Sequence, residues 1–164
     1  MKAHKILLLL FLLILIKCTW TPRSVLPEYF RTIYIPMFGN ETLEPELAPN
    51  LTQKVITEFD LDGRLTVTEH VSKAEGVLFC TITKYKKVPV SYTELGEIDT
   101  ITLIMGVKLK LRDIKSGEWI HEGYVEEKID YNLKSEPVET EIDAQVQLMD
   151  RLAKRIVSKT IEGW

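Results

Sequence analysis

The feature that most restricts the fold is a strict two-residue alternation on both sides of a glycine turn. From Val107 the chain reads V-K-L-K-L-R, and after D-I-K-S-G it continues E-W-I-H-E-G-Y-V-E. Apolar and charged residues at a period of two mark strands with one greasy and one wet face. If Lys115, Ser116 and Gly117 form a three-residue loop with Gly117 in the left-handed conformation, Ile114 faces Glu118, Lys110 faces Glu122 and Val107 faces Val125. That register puts Val107, Leu109, Leu111, Trp119 and Val125 on one face. Lys108, Lys110, Arg112, Glu118, Glu122 and Glu126 fall on the other. A slip of one residue would carry every core side chain into water, so the alternation specifies the pairing.

The rest of the chain supplies partners for that hairpin. "RTIYIPMF" alternates Ile33, Ile35 and Met37 with Thr32, Tyr34 and Pro36, which predicts a short strand, and "GNETLEP" predicts a turn. From Glu46 the residues Leu47, Leu51, Val55 and Phe59 recur every four positions and predict an amphipathic helix. Pro45 and Pro49 are tolerable because they fall at or near its first turn, and Gly63 can cap its end. "RLTVTE" predicts a second short strand with Leu65 and Val67 on one face. Residues 76–91 and 98–113 predict two longer strands joined through "SYTELGE". A last helix is expected from Glu136 or Glu139 to Lys159, with the stripe Ile142, Val146, Met149, Leu152, Ala153, Ile156 and Ile161. Acids crowd its start and bases its end, as the helix dipole favours. The order β-α-β-β-β-β-α, with one greasy sheet face and two amphipathic helices, implies an α/β (α+β) two-layer sandwich. Its mixed sheet has four to five strands, both helices pack on one face, and the other face is wet.

The first seventeen residues are of a different kind. "MKAHK" is a short basic start and "ILLLLFLLILI" an uninterrupted apolar run. At about 1.5 Å per helical residue the run covers roughly half of a bilayer core, which suits the apolar region of a signal peptide better than a membrane span. Residues 1–17 are therefore read as a signal peptide, 18–31 as a lipidated N-terminus and tether, and 32–164 as one domain. Removing Lys2, Lys5 and Lys17 lowers 21 cations to 18 against 24 acids, a net charge of −6. Such a balance gives no basic field for nucleic acid.

The two cysteines, Cys18 and Cys80, form no metal-binding or redox motif. Cys80 sits in the alternation "VLFCTI", where a buried thiol is the common outcome, although a bridge to Cys18 remains open. Cys18 follows the apolar run directly and resembles the acylated cysteine of a bacterial lipobox. Leu15 and Ile16 match that motif; Lys17 stands where a small residue is usual. Cleavage elsewhere, or a retained anchor, are the alternatives.

No catalytic signature accompanies His4, His70 or His121, and the chain is read as non-enzymatic, with no cofactor beyond a covalent N-terminal lipid. A hydrolase would require His70 or His121 to meet a nucleophile. Asp60 and Asp62 beside Gly63 lack the carboxylates that complete a calcium loop and read as a helix stop. Asn40 and Asn50 each begin an N-x-T triplet, an acceptor pattern that matters only in a eukaryotic secretory pathway. Lys84, Lys86 and Lys87 on one strand, with Lys108, Lys110 and Arg112 on the next, have two readings. They could grip the phosphates of an anionic lipid head group, or form a solvated face answered by Glu118, Glu122 and Glu126.

The segment "RTIYIPMFGNETLEPELAPNLTQKVITEFDLDGRLTV" resembles the opening of the LptE family of lipopolysaccharide-assembly lipoproteins. The likeness lies in a strand ending Ile35-Pro36-x-Phe38, the Asn40-x-Thr42 turn, and the helix entry Pro45-x-Leu47. It continues with the helix end Glu58-Phe59 and then Asp62-Gly63-Arg64-Leu65. The resemblance implies a lipid-anchored protein on the periplasmic face of the outer membrane. Such a protein plugs and helps assemble the LptD β-barrel and helps deliver lipopolysaccharide to the outer leaflet. It also points to basic residues near the sheet as lipopolysaccharide contacts, for which Lys108, Lys110 and Arg112, then Lys84 and Lys86, are the candidates. Other exported lipoproteins, including cell-wall synthase activators and secretion-channel subunits, begin with a similar strand and form the alternative class.

Overall fold

The computed structural model describes residues 26–135 and 140–162. Six strands and two α-helices follow in the order β1 (Thr32–Tyr34), β2 (Gly39–Asn40), α1 (Leu47–Asp62), β3 (Thr66–Val67), β4 (Gly76–Tyr92), β5 (Ile98–Asp113), β6 (Trp119–Asn132) and α2 (Glu141–Glu162). The sheet runs β3-β1-β4-β5-β6, with β2 also paired to β4. Pairs involving β1, β2 and β3 are parallel; β4–β5 and β5–β6 are antiparallel. The mixed sheet, the two helices and the α+β class agree with the sequence reading. The additional strand is β2, whose two residues stand where a turn was expected.

Helix α1 forms as its spacing dictates. Leu47, Leu51, Val55 and Phe59 are all fully buried, and Gly63 at φ 72° closes the helix by donating its N–H to the Phe59 carbonyl at 3.0 Å. This left-handed position is one that glycine adopts without strain. The "NET" triplet has a local structural role. Asn40 Oδ1 accepts from the Thr42 N–H and hydroxyl at 2.9 and 2.7 Å, and its amide donates to the Glu44 carbonyl at 2.8 Å, which folds the chain from β2 into α1. After β1 the burial phase shifts. Met37, expected inside, is 66% exposed, and Phe38 is buried instead, its N–H donating to Thr52 Oγ1 at 3.1 Å.

Helix α2 begins at Glu141 behind a capping box absent from the sequence reading. The Thr140 hydroxyl accepts the Asp143 N–H at 3.2 Å, while the Asp143 carboxylate accepts the Thr140 N–H at 3.1 Å. Glu136 and Glu139, the alternative starts, lie outside the described residues. Met149, Leu152, Ala153, Ile156 and Ile161 are buried as expected, joined by Ala144, Leu148 and Val157, but Ile142 and Val146 are exposed. Val146 shares a helical sector with Ala153 and Val157, which are buried farther along the helix. A Lys54–Asp150 ion pair joins the two helices, and Arg64, just past the end of α1, pairs with Glu162 of α2.

The greasy sheet face carries Leu78, Cys80, Ile82, Leu103, Met105, Val107, Leu109, Leu111 and Val125 against both helices in one core. That core reaches back past β1 to Phe30, which is buried. The chain leading into β1 is held by Asp113 at the end of β5. Its carboxylate accepts the Tyr29 hydroxyl, the Lys115 N–H at 2.8 Å and the Ser116 hydroxyl at 2.9 Å. The Tyr29 bond, followed by those from the turn, holds the Asp113 carboxyl below its ordinary range. A carboxyl with a lowered folded value contributes stability that is complete above its unfolded value, about pH 4, and lost as pH falls through the folded one. Asp113→Asn is therefore expected to lower stability by about 1–2 kcal/mol at neutral pH. The difference from the parent should shrink below about pH 4 in urea titrations; a gap that persists at pH 2.5 would refute the assignment.

Candidate functional site

The wet sheet face is the candidate site, and a β-bulge assembles it. Along β4 the inward residues are Leu78, Cys80 and Ile82, so an unbroken alternation would drive Lys84 and Lys86 into the core. The pairing shifts between Ile82 and Lys84, leaving Thr83 as an extra residue. Lys84 then lies opposite Gly106 and Lys86 opposite Ile104, on the face that carries Lys108, Lys110 and Arg112. The bulge therefore unites all five predicted cations on one surface and turns Lys87 to the other side, where it pairs with Glu141 at 2.6 Å.

Two of the five are neutralised. Lys110 bridges to Glu122 at 2.9 Å, its register partner on β6, and Lys84 reaches across β5 to Glu126 at 2.9 Å. The second contact passes over Gly106. A Cβ there would meet the Tyr124 hydroxyl at 2.0 Å, so the bare glycine lets Tyr124 lie across β5 and donate to Glu126 at 2.7 Å. Desolvation and Glu126 push the Tyr124 phenol up to about 12, while Lys84 and then Tyr124 hold the Glu126 carboxyl below its usual range. Such exposed pairs each contribute about 0–1 kcal/mol. Among the described residues no carboxylate is within ion-pair distance of Lys86, Lys108 or Arg112, and Glu118 answers none of the cations. The solvated-face reading thus accounts for Lys84 and Lys110 only.

The β5–β6 turn departs from the expected register at one end. Lys110–Glu122 and Val107–Val125 pair as predicted and Gly117 has φ 75°, but Arg112 pairs with Trp119 instead of continuing the count. The loop is one residue longer: Asp113 N–H donates to the Glu118 carbonyl, and Ile114 N–H leaves the hairpin for Glu75. A bulge at Ile120 restores the register. Its consequence is that Trp119, expected in the core, is 48% exposed on the wet face. There Lys110 and Arg112 stand 5.5 and 5.8 Å from its ring centroid. Phe79 of β4 meets it edge-on at 6.0 Å and is itself 41% exposed. The adjacent apolar pair Trp119-Ile120 was the available signal, since it breaks the alternation where a bulge falls.

The other candidates are dispersed. His121 lies opposite Leu111 on the core side of β6 and His70 is exposed before a 3-10 turn at Val71–Lys73. Among the described residues no cluster of three or more His, Cys, Asp or Glu is placed to hold a metal. Cys80 is a buried free thiol whose pKa burial raises. Asp62 pairs with Arg64 across the Gly63 cap that ends α1. Cys18 lies outside the described residues, and no described helix is long and apolar enough to cross a membrane. The far end of the β4–β5 hairpin exposes Val88, Val90, Tyr92, Leu95 and Ile98 together.

The family model described as LptE, lipopolysaccharide-assembly, matches residues 30–160. No curated protein matches the sequence. Among solved structures, a hypothetical protein of Chlamydia trachomatis superposes with a TM-score of 0.59 at 10% identity, covering 79% of this chain and 95% of that one. A protein of Xanthomonas campestris gives 0.57 at 11% identity over 88% of both chains. A lipoprotein of Neisseria meningitidis gives 0.50 at 14% identity, over 79% and 96%. At these identities the likeness is one of fold.

Proposed function

Because the chain belongs to the LptE lipopolysaccharide-assembly family, we propose that it plugs an LptD-type outer-membrane β-barrel from the periplasmic side, helps that barrel assemble and helps deliver lipopolysaccharide to the outer leaflet. The observation that carries this reading is the family match over residues 30–160, which spans β1 to the last turns of α2. Two surfaces are consistent with the two tasks. The apolar hairpin end from Val88 to Ile98 is of the kind that marks a protein partner. The wet face offers Lys108 and Arg112, and farther along the same face Lys86, to phosphates, because Lys supplies a point charge and Arg a planar fork for phosphate oxygens. Lys84 and Lys110 contribute to the same field from within their ion pairs.

In this role the protein acts by binding, without catalysis, and is held at the periplasmic face of the outer membrane by acyl chains on Cys18. A mild-detergent pull-down from native membranes, with intact mass measured on the recovered protein, tests the whole reading. The expected result is a large outer-membrane barrel at equal stoichiometry, with an N-terminal acylated Cys18. A stable complex with a penicillin-binding protein and no barrel would replace the function. A retained "MKAHK" would remove the lipid assignment.

A further inference from the structure

The cations of the wet face do not stand alone: three aromatic rings lie among them. Phe79 on β4 and Trp119 on β6 approach each other over the β5 side chains Lys110 and Arg112. Tyr124, 42% exposed, lies beside Lys108, its register partner. Successive outward rows of a strand are about 7 Å apart, so the span from the Arg112–Trp119 row to the Lys108–Tyr124 row is about 14 Å. Large aromatic side chains on a wet face would ordinarily be hidden. Here the bulge at Ile120 turns Trp119 outward, and the bareness of Gly106 makes room for Tyr124.

Aromatic rings carry negative faces, which attract polarised C–H groups as they attract cations. A pyranose ring presents such C–H groups on its faces and hydroxyls around its rim. An occupant that satisfies this surface has flat C–H faces for the rings and negative groups for Lys108 and Arg112, which no carboxylate of the described residues neutralises. An anionic phospholipid surface supplies the charge without the faces. Resting on the lipopolysaccharide reading above, we propose that Phe79, Trp119 and Tyr124 form an aromatic shelf for a phosphorylated saccharide whose phosphates reach Lys108 and Arg112. The ligand part recognised is thus the sugar, with its acyl chains directed elsewhere.

Calorimetric titration of the full mature protein with a deacylated, phosphorylated glucosamine disaccharide tests this, with inorganic phosphate and anionic phospholipid vesicles as the other two probes. Trp119→Ala is expected to weaken disaccharide binding about tenfold and to leave vesicle and phosphate binding unchanged, while Trp119→Phe recovers most of the loss. Circular dichroism of both variants separates a local loss from unfolding, and Phe79→Ala provides a second, independent reduction. Equal disaccharide binding by the parent and by folded Trp119→Ala overturns the shelf. Binding of vesicles but not of the disaccharide by the parent overturns it too. The charge reading fails separately, if Lys108→Glu/Lys110→Glu/Arg112→Glu binds intact lipopolysaccharide as the parent does.

Discussion

Gly76→Ala is expected to destabilise the domain by about 3 kcal/mol, at the upper end of what overpacking costs. Gly76 opens β4 between two neighbours, pairing with Ile33 on β1 and Asp113 on β5. A Cβ at this position would fall 1.9 Å from Phe30 Cζ and 2.6 Å from Cε2. The ring cannot swing away, because Phe30 is buried in the core and its backbone N–H is tied to the Pro27 carbonyl at 2.9 Å. The glycine is therefore the seat for the aromatic ring that anchors the lead-in to β1. Shortening the ring should relieve the clash, so Gly76→Ala/Phe30→Leu should be less destabilised than the sum of its single variants. Urea unfolding of the four proteins measures the coupling. A Gly76→Ala loss under about 0.5 kcal/mol would refute Gly76 as the seat of the Phe30 ring.

The second large effect concerns binding. Lys108→Glu/Lys110→Glu/Arg112→Glu is expected to reduce lipopolysaccharide binding at least a hundredfold while the domain stays folded. Hydrogen bonds to charged groups contribute about 1.5–3 kcal/mol each, so losing Lys108 and Arg112, with which no carboxylate of the described residues pairs, already reaches that range. The stability cost should be small, since among the described residues the one ion pair broken is the exposed Lys110–Glu122 bridge, and the Arg112 hydrogen bond to the Gly117 carbonyl lost with it is exposed too. The parent's affinity should also fall as salt rises from about 0.05 to 0.5 M, because exposed charges are screened. Unchanged lipopolysaccharide binding by a folded triple variant would remove these residues from the site.

Much of this architecture was legible without coordinates because burial imposes a period. The i, i+4 run from Leu47 to Phe59 could only be a helix with one buried stripe, and the stop at Gly63 follows from its freedom at positive φ. The leucine-cation alternation of β5 gave both the strand and its two faces. The Thr140–Asp143 capping box is present in the letters, but the acidic residues just before it suit a helix start equally well and mask the boundary.

What the sequence by itself determined is which residues are inside wherever one period runs unbroken: α1, β5, the middle of β6 and the last four turns of α2. What only the tertiary structure decided is where that period slips. The bulges at Thr83 and Ile120 each insert one residue, and each reverses the sense of the residues next beyond it, sending Lys84 and Lys86 to the wet face and Trp119 with them. A bulge is set by the pairing of two strands, not by either alone, so one strand's letters carry only a faint mark of it. The two slips complete the candidate site: Lys84, Lys86 and Trp119 join the Lys108, Lys110, Arg112, Phe79 and Tyr124 that unbroken alternation already places on that face.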